Sequence, residues 1–136
     1  MFYNRSVKII FGMAMAAAAV VGLTTASVSQ NNQAASAARG KYLANNVAMC
    51  LECHGEAYKG QMLPFKAVDP KIPFMPLAPG IRQTDLQGKK YTQASLSKVL
   101  QTGKRVNGDP FIKPMPSYKL NKQDADDVSA YFFSLK

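Results

Sequence analysis

Five consecutive residues, Cys50-Leu51-Glu52-Cys53-His54, hold both cysteines and the single histidine of the chain. On a helical turn, positions i and i+3 share a face. The two thiols are therefore spaced to react with the two vinyl groups of one porphyrin, and the adjacent imidazole meets the iron from the same side. This is the attachment arrangement for c-type haem, in which two thioethers fix the ring and histidine is the proximal ligand. A redox dithiol or a disulfide would want a βαβ setting, which the flanks do not suggest. A zinc ion would find three ligands here and no further Cys or His to close a tetrahedron, leaving only a carboxylate. Two cysteines also exclude a multi-bridge secreted scaffold.

The iron needs a sixth ligand or an open position, and the choice separates electron exchange from ligand binding or catalysis. One histidine excludes bis-histidine ligation. Methionine is the natural alternative, because its soft thioether favours Fe(II), raises the potential and leaves no room for an exogenous ligand. The candidates outside the N-terminal segment are Met49, Met62, Met75 and Met115. Met49 directly precedes the attachment turn and cannot swing to the opposite face of the ring. Met115 stands in Lys113-Pro114-Met115-Pro116-Ser117-Tyr118, where two prolines stiffen the backbone, and it is the expected ligand. Met75, in Pro73-Phe74-Met75-Pro76, has a similar setting and is its competitor. Ordinary packing is the alternative reading of Met62 and Met75, since Met fills irregular gaps.

The elements that must position these groups are marked out by proline. All eight prolines fall in two clusters, Pro64 to Pro79 and Pro110 to Pro116, which exclude helix over about residues 63–80 and 109–117. Three helical segments remain. The first covers about residues 38–50, with Leu43 and Val47 four apart. The second opens at Thr92 or Ser95, puts Leu96, Val99 and Leu100 on one face and stops at Gly103. The third has Asn121 as N-cap and Asp124, Asp126 and Asp127 in its opening turns, where they favour the helix dipole. Its stripe is Val128, Tyr131, Phe132 and Leu135. No stretch alternates well enough to read as a strand, so the expected class is all-α with long Pro-rich loops.

Residues 1–26 read as separate from the fold. Arg5 and Lys8 precede an uncharged apolar run from Ile9 to Leu23, which ends at the small residues Thr24-Thr25-Ala26. That is the layout of a secretory signal, and its run of about 15 residues falls short of the roughly 20 a membrane-spanning helix needs. Cleavage is expected, with retention as an N-terminal anchor as the alternative. Residues 27–38 are uncharged and small, and read as a flexible linker; the folded domain is expected over 39–136. The chain has 17 basic and 8 acidic residues, a formal charge of +9. Without Arg5 and Lys8 the charge is +7.

With these features in hand, the chain resembles the class I c-type cytochromes, the monohaem cytochrome c family. The likeness is carried by Gly40-Lys41-Tyr42-Leu43 opening a helix, Cys50 to His54 closing it, an Ala78-Pro79 loop, a helix ending at Gly103, Pro114-Met115-Pro116, and a last helix with Ala130-Tyr131. It implies a cytochrome c fold of three to five helices around one haem c bound by Cys50 and Cys53, with His54 and Met115 on the iron. It also implies that Gly40 lets the first helix approach Tyr131, and that the Pro79 carbonyl takes the His54 ring N–H, a contact that fixes tautomer and ligand strength. The 25 positions between His54 and Pro79 exceed the compact loop of the smallest family members, and leave Pro64 and Pro76 as alternatives to Pro79. Phe65, Ile72, Phe74 and Leu77 either line a haem edge there or pack within the loop.

An iron with both axial positions filled exchanges electrons and offers no vacancy for substrate. The expectation is a carrier of single electrons between exported, periplasmic redox proteins, with no catalytic residues of its own. Lys104, Arg105, Lys113 and Lys119 bracket the Met115 loop and are placed to steer it toward acidic docking surfaces. Nucleic acid is not an expected partner, and a membrane is one only if the N-terminal segment is retained. The alternatives are a haem subunit fixed in a dehydrogenase or respiratory complex, and a gas-sensing or peroxidase-like protein with an open iron site.

Overall fold

The computed structural model describes residues 32–136. The expected signal segment, residues 1–26, and the first part of the linker lie outside the described residues. Residues 35–136 form one compact unit. Its first helix, α1, covers residues 32–42 and ends in a wider π-helical stretch, Leu43–Val47, closed by a bond from Ala48 N–H to the Leu43 carbonyl (2.8 Å). Residues 32–38 are thus helical where a flexible linker was expected. Ala34, Ala35, Ala37 and Ala38 explain this, since alanine is the strongest helix former and needs no charge to form one. The helix stops where Met49 takes a left-handed conformation (φ 51°), and a separate short helix α2, Cys50–His54, follows. The sequence had suggested one helix running through to residue 50.

A single 3-10 turn, Glu56–Tyr58, leads into strand β1, Gly60–Met62, which pairs antiparallel with β2, Leu77–Pro79. The register sets Gly60 against Pro79, Gln61 against Ala78 and Met62 against Leu77. This ribbon was not expected. Its strands are three residues each, too short for alternation to show. The segment between them carries no helix, as its prolines require.

Helix α3, Gln83–Gly88, is a further element that periodicity did not mark, because it buries one residue, Leu86. What starts it is the Asp85 carboxylate, which accepts from both the backbone N–H (3.2 Å) and the guanidinium (3.0 Å) of Arg82. Helix α4, Gln93–Thr102, opens on a reciprocal cap between Thr92 and Ser95 and ends at Gly103 in the left-handed conformation (φ 68°). Helix α5, Lys122–Ser134, opens on Asn121, whose side-chain oxygen accepts from Asp124 N–H (2.9 Å).

α4 packs along α5, and α1 also packs on α5. The crossing with α1 is tight: a Cβ at Gly40 would lie 1.9 Å from the Asp127 carbonyl oxygen and 3.0 Å from Tyr131 Cβ. The core combines Ala44 of α1, Leu86 of α3, Leu96 and Leu100 of α4, and Ala125, Val128, Tyr131 and Phe132 of α5. Tyr58 is buried among them, edge-on to Tyr131 (5.8 Å) and Phe132 (5.1 Å). The architecture is all-α with one small ribbon, and no helix among the described residues is long and apolar enough to cross a membrane.

Candidate haem site

An apolar cavity of about 410 Å³ opens between the helices and the two Pro-rich loops. Cys50, Cys53 and His54 stand on its wall, as do Met75 and Met115. The sequence-derived ligand set is therefore gathered on one cavity. Leu96, Val99 and Leu100 of α4 and Val128 and Phe132 of α5 supply aliphatic and aromatic lining. Pro79 and Leu77 of the ribbon complete it.

His54 is buried, and its Nδ1 lies 2.7 Å from the Pro79 carbonyl oxygen. A carbonyl can only accept, so Nδ1 carries the proton. Burial pushes the imidazole pKa down; the Pro79 bond opposes that, and nearby Lys89 adds to the fall. The ring is then neutral near pH 7, with a free lone pair on Nε2, the form a metal takes. Of the three prolines open to this role, Pro79 holds it. Its carbonyl is placed by the ribbon, where Gly60 (φ 89°) sits directly opposite. A Cβ on Gly60 would stand 2.8 Å from the Ala78 carbonyl oxygen and 2.7 Å from Gly80 N.

Cys50 and Cys53 are free thiols, and burial raises Cys50 to about 11. Met115 lies in a loop that begins at a cis Lys113–Pro114 bond. That loop is held from two sides. Met75 N–H donates to the Lys113 carbonyl (2.8 Å), joining the two Pro-rich loops. The Tyr118 hydroxyl donates to the Ala48 carbonyl (2.6 Å), joining the Met115 loop to the residues just before the attachment turn. Burial, with smaller contributions from Cys50 and Cys53, pushes Tyr118 up to about 12, so it remains a donor.

Gly40 and Tyr131 are not on the cavity wall. They pack α1 on α5, a supporting role one layer away. Leu77 lines the cavity as one of the two readings had it, but Phe65, Ile72 and Phe74 do not; Leu63 and Met75 take that place. Arg105 turns to the wall, where Asp109 (3.1 Å) and the Pro110 carbonyl (3.1 Å) hold it, while Lys104, Lys113 and Lys119 are exposed. Lys89, bonded to the Gly80 carbonyl (3.1 Å), is a second cation on the wall. Sequence reasoning missed Lys89 and Tyr58. Neither belongs to a periodic stripe, and only the folded chain shows where they lie.

The family model for cytochrome c matches residues 37–136, most of the chain. The chain belongs to the cytochrome c family. It is a haem-binding electron-transfer cytochrome whose cofactor is covalent haem c with its iron, and the Cys50/Cys53 pair lies at the family's attachment segment. Searches of curated proteins and of solved structures found no match. The cavity suits this cofactor. Its wall is apolar apart from a few groups, it brings together two free thiols, a neutral imidazole and thioethers, and Lys89 and Arg105 are cations of the kind that pair with a haem's carboxylates.

Proposed function

We propose that this cytochrome carries single electrons between exported redox proteins, and that Cys50 and Cys53 would hold the haem through thioether bonds while His54 and Met115 would ligate its iron. The observation that carries the reading is the shared wall: the attachment turn and the Met115 loop meet on one apolar cavity. When bound, the haem supplies the one-electron Fe(III)/Fe(II) couple. The chain's part is to hold and tune it. The Pro79 carbonyl orients His54 and keeps Nε2 unprotonated, and a soft thioether at Met115 favours the reduced state. The aliphatic walls keep water away, which disfavours the more highly charged state of the site.

Export is supported by the basic-then-apolar character of residues 1–26 and by the chemistry of attachment, which in bacteria takes place outside the cytoplasm. The basic surface supports partners with acidic docking faces. The test is a reductive titration of the holoprotein with carbon monoxide present. The reading expects one electron per chain, full reversibility, and no change in the ferrous spectrum at neutral pH. Carbon monoxide bound at stoichiometric level would instead show an open iron site, as in a sensor or peroxidase-like protein.

A further inference from the structure

The β1–β2 ribbon and the loop that joins its strands have two sides. Leu63, Met75 and Leu77 lie on the cavity wall. Met62, Phe65, Val68 and Ile72 do not; they are exposed at 66, 51, 103 and 52%. Single exposed apolar residues need no explanation, but four exposed between Met62 and Ile72 point to an interaction surface. Hydrogen bonds close the loop at its base and turn it at its tip. Leu63 N–H donates to the Pro76 carbonyl (2.7 Å) at its base, and at its tip Ile72 and Lys71 donate to Asp69 (3.1 and 2.8 Å). Met75 and Leu77 are both exposed and on the cavity wall, so the outer surface is one side chain away from the cavity at that point.

We infer that this loop is the docking face for a redox protein whose own contact surface has an apolar centre ringed by carboxylates. Lys59, Lys66 and Lys71 are exposed on or beside the loop, against Asp69 as its acid. An apolar centre with a charged rim is the anatomy of a specific but separable interface, and the lysines steer an acidic face toward it. A second copy fits poorly, because it would set Lys59, Lys66 and Lys71 against the same lysines. The inference rests on the electron-carrier reading, since docking here matters because it shortens the electron's path at Met75 and Leu77.

The test uses the holoprotein on gold coated with a mixed monolayer of methyl- and carboxylate-terminated alkanethiols, a probe with the partner's chemistry. The triple variant Phe65→Ser/Val68→Ser/Ile72→Ser is expected to exchange electrons about tenfold or more slowly than the unchanged protein. Lys66→Glu/Lys71→Glu should slow it as well. In both variants the visible spectrum and the solution potential stay the same, which shows that the haem site is intact. Equal surface rates with a normal solution potential overturn the inference and leave the carrier reading standing. Two other results also overturn it by giving the loop another occupant. One is dimerisation of the unchanged protein in sedimentation that the triple variant loses; the other is loop-dependent binding to phosphatidylcholine–phosphatidylglycerol vesicles. A protein that exchanges no electron even with soluble mediators overturns the carrier reading, and the inference with it.

Discussion

The proton on His54 Nδ1 is held by a carbonyl that cannot move alone. Pro79 sits in a three-residue strand, and its cross-strand neighbour Gly60 leaves no space for a side chain. Gly60→Ala would force a Cβ into the Ala78 carbonyl and require a left-handed backbone of an alanine. The expected cost is about 1–3 kcal/mol of stability, together with a displaced Pro79 carbonyl. Chemical denaturation reads the first effect, and the nitrogen-15 shift of His54 Nδ1 in the reduced holoprotein reads the second. Gly88→Ala is the control, since a Cβ there meets nothing within 4 Å, and it should be neutral or stabilising. If the two variants behave alike, the ribbon does not place the carbonyl.

Where elements meet, α1 is held to α5 by the close approach at Gly40 and by the ion pairs of Arg39 with Asp127 and Asp124. Gly40→Ala places a methyl group against a main-chain carbonyl oxygen, which a side-chain rotation cannot relieve. A loss of about 3 kcal/mol is expected, at the upper end of overpacking costs, measured by urea unfolding of the holoprotein. Asp127 is buried and accepts from Ser36, from Arg39 (2.5 Å) and from Gln123 (3.1 Å). Burial alone would raise its pKa, but these bonds outweigh it and hold the carboxyl below the usual range. A depressed folded pKa stabilises at pH values above the unfolded one, near 4, and that stabilisation is lost as pH falls through the folded value. Asp127→Asn should therefore be less stable than the unchanged protein at neutral pH. The gap should narrow below about pH 4; a constant gap from pH 7 to pH 2 would contradict the assignment. Much at this scale was legible. α4 and α5 announce themselves through caps and through the stripe Leu96-Val99-Leu100 and the stripe Val128-Tyr131-Phe132. α3 does not, because one buried leucine makes no period. The extension of α1 was hidden by an alanine-rich composition that suits a linker and a helix alike. The site residues were legible because two Cys and one His stand in five positions. Pro79 was reached by resemblance, and the cavity wall at Leu63, Lys89 and Tyr91 by the fold alone, since those residues come together only when the ribbon closes.

At the scale of the whole molecule, a cavity of about 410 Å³ within roughly a hundred residues is a large defect unless something fills it. The cavity is open to solvent where Met75 and Leu77 are exposed, so an empty site leaves its apolar lining against water, at about 25 cal/mol per Å² of surface. Fold and cofactor are therefore one problem. The Cys50→Ala/Cys53→Ala chain, which cannot anchor haem by thioethers, should lose its cooperative thermal transition and bind a hydrophobic dye. A sharp transition near that of the holoprotein would show that the chain folds without its cofactor. The closed iron site is the claim on which the carrier function depends, and two methionines stand on the same wall. The measurement that tests it most directly is the visible spectrum of the ferric holoprotein. The methionine-to-iron charge-transfer band is expected in the unchanged protein and in Met75→Ala, and its loss in Met115→Ala; a band that survives Met115→Ala contradicts the account.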